Sequence, residues 1–548
     1  MPPKTGDHQL SSTPKKDNTM RTFFSYGPVD YEEHFCVPRT EIIERGYAQL
    51  IRNPKKGGHF FTIWAPRQCG KTWLMRQVKK KIEKAYGDHF TIGMMSMQGV
   101  IMRPGEPEEG ILKRVPQLLW ETFELELDEP PETFEEFKDL FLSGKGIFEK
   151  PVILFIDEFD SLPPGIIDQL VTLFRDIYLK RERFILHGLA LIGVRAVLGV
   201  DSLRGSPFNI QRSLHVPNLT ADEVEELFHQ YMNESGQTVN PDVVDAVYGV
   251  TRGQPGLVGW FGELLTEKYN PGVEKPIDRS VWDDVYRSAL FREWNNTVLN
   301  LVKKARGEYQ NQIVELFTHS DIPFSIDVEW CAHAYLNGII DTETVEDDMG
   351  MKTDVCRFAN PFIQRRLYNA LTTDLIGDRL PILSLDPLDT LEDVFENPEI
   401  DTPALLNRYK DYLKRLKAKG INPWKDQPRR SDMHYTEYVG HFHLYFWLQS
   451  ALSRLCSISP EFPTGNGRVD LMLRCTDKQA IIEVKSFKDQ WELKHSKTQA
   501  VSYAKKLGLK ATTLALFVPV EDEDTLSKLS SSERVEGLSL HVIAIGWI

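Results

Sequence analysis

Four apolar runs of strand length, His59 to Ala65, Thr91 to Met97, Pro151 to Ile156 and Phe184 to Val194, punctuate the first half of the chain. Continuous Val, Ile, Leu and Phe with no polar alternate is the pattern of parallel strands covered on both faces. The stretches around them have helical spacing instead. Ile42, Ile43, Tyr47, Leu50 and Ile51 recur along Glu41 to Ile51, and Leu74, Met75 and Val78 along Trp73 to Lys84, where Lys79, Lys80 and Lys81 take the wet face. An α/β domain built on a parallel sheet is predicted.

The pattern changes twice further on. An acidic section, Glu106 to Phe141, reads as amphipathic helices inserted into the sheet domain, and after residue 217 the spacing is helical throughout. There Thr220 and Glu223 have capping-box spacing, and Pro255 suits a first helical turn. Trp294 to Leu371 gives helix, turn, helix (Ile326 to Leu336), an irregular hairpin around Cys356 to Pro361, and a last helix. Beyond an acidic, proline-containing stretch the period becomes two, and Gly467 to Arg474 and Gln479 to Lys485 alternate as a hairpin. The resulting division is a disordered arm over residues 1–28, a sheet core over 29–217, a helical lid over 218–290, a winged-helix-like segment over 291–375, an acidic linker over 376–403 and a second α/β domain over 404–548.

Composition narrows the classes. With 548 residues, 41% of them hydrophobic and 26% charged, the chain is globular and too long for one core. No apolar run is long enough for a membrane span and the start lacks a signal peptide's apolar segment, so no membrane partner and a cytoplasmic location are expected. The six cysteines form no C-x-x-C pair, so neither a disulfide nor structural zinc is expected. A net charge of −14 confines any nucleic-acid contact to a local patch, for which Arg408 to Arg430 qualifies with nine Lys/Arg against two Asp.

The first chemistry follows the first apolar run. Ala65-Pro66-Arg67-Gln68-Cys69-Gly70-Lys71-Thr72-Trp73 joins strand to helix as a phosphate-binding loop does, with backbone N–H groups around a phosphate, Lys71 reaching the outer phosphates and the Thr72 hydroxyl on a magnesium ion. Ala65 stands where the pattern has its first glycine, which matters only if φ is positive there or a side chain would clash. The run at Pro151 ends in Asp157 and Glu158, at the strand end where open α/β sheets bind ligands. Asp157 would hold magnesium through water and Glu158 would polarise the attacking water. ATP and Mg²⁺ are the expected cofactors.

In order, APRQCGKTW, VILFIDEFD, SPFNI at Ser206 to Ile210, LTADEV and TRGQPGLV resemble the AAA-ATPase-like proteins of the STAND and archaeal ATPase group over residues 30–375. The resemblance implies that Gly253 and Pro255 contact the adenine and makes Ala65 an accepted variation. Arg195 is a candidate sensor of the terminal phosphate; Arg181, Arg183 and Arg204 are candidate arginine fingers. Possible homo-oligomers go with these roles.

The second chemistry lies in the hairpin. If residues 475–478 form its loop, 474 faces 479, 472 faces 481 and Asp470 faces Glu483, with Lys485 on the same face. Two facing carboxylates repel unless a divalent cation sits between them, and an adjacent ammonium can then stabilise or deprotonate a reacting water. D-x(12)-E-x-K, with Gln499 and Tyr503 as Q-x-x-x-Y, resembles the PD-(D/E)XK nuclease superfamily over residues 404–548. That resemblance implies magnesium-dependent cleavage of nucleic acid, DNA foremost, with Glu437 as a further metal ligand. His441 and His443, in an aromatic helix, are expected to be packing residues. Three functions compete: an ATPase controlling an appended nuclease in repair or defence, a STAND-type ATP-driven switch whose C-terminal domain binds nucleic acid without cutting it, and a winged-helix DNA-binding regulator.

Overall fold

The computed structural model describes the chain except residues 1–19, 28, 101, 103–104, 194–211, 318–321, 347–349, 377–383, 387–388, 397, 425–436, 453–454, 464–467, 476–477 and 548. Arg195, Arg204, Ser206 to Ile210 and the last third of the basic stretch therefore lie outside the described residues. Two compact units emerge, Met1–Phe291 and Arg292–Ile548.

The first unit holds a five-stranded, all-parallel sheet of β1 (Phe60–Trp64), β2 (Thr91–Ser96), β3 (Val152–Asp157), β4 (Leu186–Gly193) and β5 (Arg212–His215) in the order β2-β3-β4-β1-β5. Strands β3 and β4 are buried along their full lengths, as their unbroken apolar runs require. Helices cover both faces, one side closing over Phe61, Ile63, Leu74 and Val78, the other over Phe60, Leu154, Leu191 and Phe174. Strand β5 had no sequence signal, because Arg-Ser-Leu-His at a sheet edge needs only Leu214 inside. The capping box forms: Glu223 N–H donates to Thr220 Oγ1 at 3.2 Å and Thr220 N–H to Glu223 Oε2 at 2.9 Å.

The arm expected over residues 1–28 ends sooner than its polarity suggested. From Met20 the chain is a strap on the helical lid: Phe23 is 3% exposed, its ring 4.9 Å from Phe228 and 5.2 Å from Phe35. Burying one such ring contributes about 2 kcal/mol, enough to hold a segment with no secondary structure of its own. Arg21 bonds Glu234 at 2.6 Å, and Arg39 bonds the Pro217 carbonyl at 3.0 Å.

In the second unit, helices Asn296–Ala305, Gln310–Glu315 and Glu329–Leu336 accompany an antiparallel hairpin of β6 (Ile340–Glu346) and β7 (Lys352–Phe358), followed by helix Pro361–Ile376. A six-stranded mixed sheet comes after it, built from β8 (Ser457–Pro463), β9 (Arg468–Cys475), β10 (Lys478–Ser486), β11 (Ala511–Val518), β12 (Ser531–Val535) and β13 (Leu538–Gly546) in the order β12-β13-β11-β10-β9-β8. These parts are continuous rather than strung on a linker. Tyr368 hydroxyl and His441 Nδ1 are 3.0 Å apart, and Tyr445 hydroxyl donates to Asn369 at 3.1 Å, joining helix Pro361–Ile376 to helix Glu437–Leu452. Within the supposed linker, Val394 is fully buried and Asp393 bonds Arg408 at 2.7 Å. Composition misled here because Asp and Glu faced outward around a few buried anchors.

One further expectation needs correcting. Cys456 and Cys475 form a disulfide with Cα atoms 4.2 Å apart; the β8–β9 register pairs Ser457 with Arg474, so the flanking cysteines come opposite each other despite their wide sequence spacing. In the described part of the basic stretch, three of its six Lys/Arg are ion-paired among the described residues, Lys414 on Glu523 at 2.9 Å, Lys417 on Glu521 and Arg408 on Asp393. Among the described residues no helix is long and apolar enough to cross a membrane.

Candidate functional sites

The loop between β1 and helix Lys71–Tyr86 sits at the C-terminal edge of the parallel sheet. Ala65 is fully buried and is not among the residues with positive φ, so glycine is not needed there. The left-handed positions are Gln68 at φ 59° and Gly70 at φ 79°. Gln68 is held in that conformation on both sides: its carbonyl accepts from Gly256 N–H at 3.0 Å and its side-chain amide donates to Ser25 O at 2.9 Å.

Lys71 folds back over the loop, donating to Ala65 O and Pro66 O at 2.8 Å each. Burial lowers its pKa, with the Cys69 thiol and the carboxylates of Asp160, Glu158 and Asp157 pulling the other way. Asp157 closes β3 and is 8% exposed; Glu158 follows at φ 52° and donates its N–H to Asp157 Oδ1 at 2.9 Å. Burial, then the neighbouring Asp157 and Asp160, raises the Glu158 pKa. The structure thus gathers Lys71, Asp157 and Glu158 around the loop, with Thr72 at the first turn of the helix. Hydroxyl and carboxylate oxygens are the donors that magnesium takes, so Thr72 and Asp157 fit that ion chemically. Trp73 points inward instead, with its ring 5.4 Å from Tyr31. Cys69 is buried, which raises its thiol pKa. Arg181 is engaged locally, over the Tyr178 ring at 4.2 Å, and Arg183 is exposed.

The lid meets this loop through the TRGQPGLV motif, where Gln254 and Gly256 had no role assigned from sequence, and through Ser25, which the sequence had not singled out. Gln254 caps helix Pro255–Glu263 by accepting from Leu257 N–H at 2.7 Å, and its amide donates to Arg67 O at 3.2 Å. A Cβ on Gly256 would lie 2.5 Å from the Gln68 side chain, and one on Gly253 would lie 1.9 Å from Leu219 O, so both must stay glycine for the approach. Ser25 completes the junction by donating to Glu263 at 3.1 Å. The adjacent Phe23-Phe24 in a polar arm was the available signal for the strap.

The hairpin register is as anticipated, with 474 opposite 479 and 472 opposite 481, but Cys475 also pairs with Lys478, so the turn is two residues shorter. Recorded pairing ends at Leu471–Ile482. One step beyond, Val484 N–H donates to Asp470 Oδ2 at 2.6 Å. Asp470 is 8% and Glu483 1% exposed. Lys485 Nζ lies 2.9 Å from Glu437 Oε1 and 3.6 Å from Asp470 Oδ2, so the three side chains singled out by sequence meet. Burial opposes the Lys485 charge, yet Asp470, Glu437 and Glu483 together hold its pKa well above the ordinary value. The surrounding carboxylates thus favour the charged form of Lys485. Among the described residues no group of three or more His, Cys, Asp or Glu is arranged to hold a metal ion. Magnesium nevertheless commonly takes one or two carboxylates and fills its shell with water, and Asp470, Glu483 and Glu437 supply oxygen donors of that class.

Gln499 Nε2 donates to Tyr503 Oη at 2.8 Å, and Gln499 itself is exposed. His441 and His443 are buried packing residues: His441 Nε2 lies 2.9 Å from Asp470 O, and His443 Nδ1 2.6 Å from Tyr409 Oη. Burial lowers both pKa values, that of His443 to about 3.

No protein-family model and no curated protein matches this chain. Among solved structures, the Walker-type ATPase PABY2304 of Pyrococcus abyssi is 15% identical with a TM-score of 0.41, over 63% of this chain and 99% of that one. The Aeropyrum pernix Orc1 protein in complex with DNA is 16% identical with a TM-score of 0.31, over 62% and 94%. The Thermotoga maritima RuvB Holliday junction branch migration motor is 13% identical with a TM-score of 0.32, over 58% and 92%. Independently of these distant likenesses, the parallel five-stranded sheet with its flanking helices and its loop at the strand edge fits the α/β fold of P-loop NTPases.

Proposed function

We propose that the chain binds and hydrolyses ATP at the loop 65–72 and that nucleotide state controls a magnesium-dependent nuclease centre at Asp470, Glu483 and Lys485, acting on DNA foremost. The observation that carries the first half is Lys71: a half-buried ammonium that among the described residues is bonded to two carbonyl oxygens suits an incoming phosphate as its counter-charge. Backbone N–H groups at the start of the helix add their dipole. Thr72 and Asp157 would hold the magnesium, which neutralises phosphate charge. Glu158, with its raised pKa, is suited to accept a proton from, or orient, the attacking water.

At the second centre Asp470 and Glu483 would hold the metal, with water filling the rest of its shell and Glu437 beside them on Lys485. The ion would activate water and stabilise the developing phosphoryl charge. Lys485, whose charged form the neighbouring carboxylates favour, would stabilise the same charge from the side. The adjoining helices and the β6–β7 hairpin agree with a winged-helix reading of 291–375, which would add DNA contact. The test uses full-length Lys71→Ala and Glu483→Gln. Lys71→Ala should lose ATP hydrolysis by 100-fold or more, on the order seen when a principal charge-stabilising group is removed. Glu483→Gln should lose Mg²⁺-dependent cutting of single- or double-stranded DNA or RNA and keep ATP hydrolysis. Absence of cutting by the unsubstituted protein, with Mg²⁺ or Mn²⁺ and with or without ATP, would remove the nuclease half.

A further inference from the structure

Helix Gln490–Lys506 leaves the sheet edge at which β10 ends, so its first turn is only a few residues past Lys485. Trp491 stands there 69% exposed, with the His495 ring against it, centroids 4.1 Å apart and tilted by 65°. The i, i+4 spacing lets His495 steady the indole while most of the ring stays in water. Its neighbours Gln490, Lys494 and Thr498 are exposed and polar. A lone flat ring among polar side chains is poor material for apolar protein docking, which needs a contiguous patch. Stacking on a base needs only the one ring, provided that charge nearby draws the backbone in.

That charge is present. The helix carries Lys494, Lys497, Lys505 and Lys506 against Glu492 alone, in a chain whose net charge is −14. Lys497 is bonded to Glu533, Lys505 to Glu536 and Lys488 to Glu492, whereas Lys494 has no carboxylate partner among the described residues. We infer that Trp491 and His495 form a stacking platform for an unpaired base of a single-stranded nucleic acid, with Lys494 on its phosphate, leading the strand toward Asp470, Glu483 and Lys485. The inference rests on the nuclease-centre reading and narrows its substrate: a duplex covers its base faces except at ends, so the platform serves single strands or frayed ends.

The experiment measures binding of full-length protein, in EDTA so that nothing is cut, to labelled single-stranded DNA, single-stranded RNA and duplex DNA of one sequence. Trp491→Ala should weaken single-strand binding about tenfold, the usual loss for one stacked base, with Trp491→Phe retaining most of it and duplex binding unchanged. Lys494→Ala should flatten the salt dependence by about one phosphate contact. An abasic oligonucleotide should bind the unsubstituted protein less well, yet lose nothing further with Trp491→Ala. The DNA and RNA arms decide which strand is taken. Unchanged single-strand affinity in Trp491→Ala, in a protein whose unsubstituted form binds and cuts nucleic acid, overturns the platform alone; failure of the unsubstituted protein to bind any of the three probes overturns the nucleic-acid reading and the platform together.

Discussion

Two lysines mark the two centres, and their surroundings are opposite. Lys71 is half-buried against the carbonyl oxygens of Ala65 and Pro66, and its charge is disfavoured there; Lys485 lies against Glu437 and Asp470, which favour its charge. The difference concerns where the counter-charge comes from. At the loop Asp160, Glu158 and Asp157 favour the charge without outweighing burial, so a bound phosphate would add counter-charge in direct contact. In the second unit the counter-charge is already built in, and a metal entering among the same carboxylates would share them with the lysine. On the proposed reading, a ligand would complete the first centre and redistribute the charges of the second.

Removing either cation breaks the comparison most severely. Beyond the loss of hydrolysis in Lys71→Ala, Lys485→Met should leave Glu437 and Asp470 facing each other without their cation. A stability loss of about 2 kcal/mol is expected, discounted from the fully buried case because Lys485 and Glu437 retain 20% and 26% side-chain exposure. Thermal melting should show it, and added Mg²⁺ should raise the melting temperature of this variant more than that of the unsubstituted protein. Equal metal responses would mean that the ion does not enter among these carboxylates.

A smaller effect probes how the loop is joined to the lid. Gln254→Ala removes the cap on Leu257 N–H and the bond to Arg67 O, at a cost of about 1 kcal/mol. ATP affinity, measured by calorimetry, should fall severalfold; an unchanged affinity would show that the lid contact is incidental to nucleotide binding. Smallest of all should be Ala65→Gly, since the position has neither a positive φ nor a need for more space. Hydrolysis within about twofold of the unsubstituted rate is expected, and a large loss would mean that the loop reshapes around its ligand at that residue.

The residues of the two candidate centres could be placed from the sequence because the patterns that position them are local. Strand-loop-helix order placed Lys71 and Thr72, a single apolar run placed Asp157 and Glu158, and period-two alternation placed Asp470, Glu483 and Lys485 on one face. What escaped was decided at long range. Gln68 is tied to Ser25 and Gly256, residues far from it in sequence, and no spacing rule announces a strap laid across a lid. Strand β5 was missed because an edge strand covered on little of its length needs only Leu214 buried. The Cys456–Cys475 disulfide depends on the register of β8 on β9, which becomes visible only once the strands are paired.

The central claim is that one chain carries two separable centres, and a single paired assay tests it most directly: ATP hydrolysis and Mg²⁺-dependent nucleic-acid cleavage measured side by side for the unsubstituted protein, Lys71→Ala and Glu483→Gln. The account predicts that Glu483→Gln hydrolyses ATP normally and cuts nothing, while Lys71→Ala hydrolyses no ATP and loses nucleotide control of cutting. Loss of both activities in either folded variant under every nucleotide condition, or full cutting by Glu483→Gln, would contradict it.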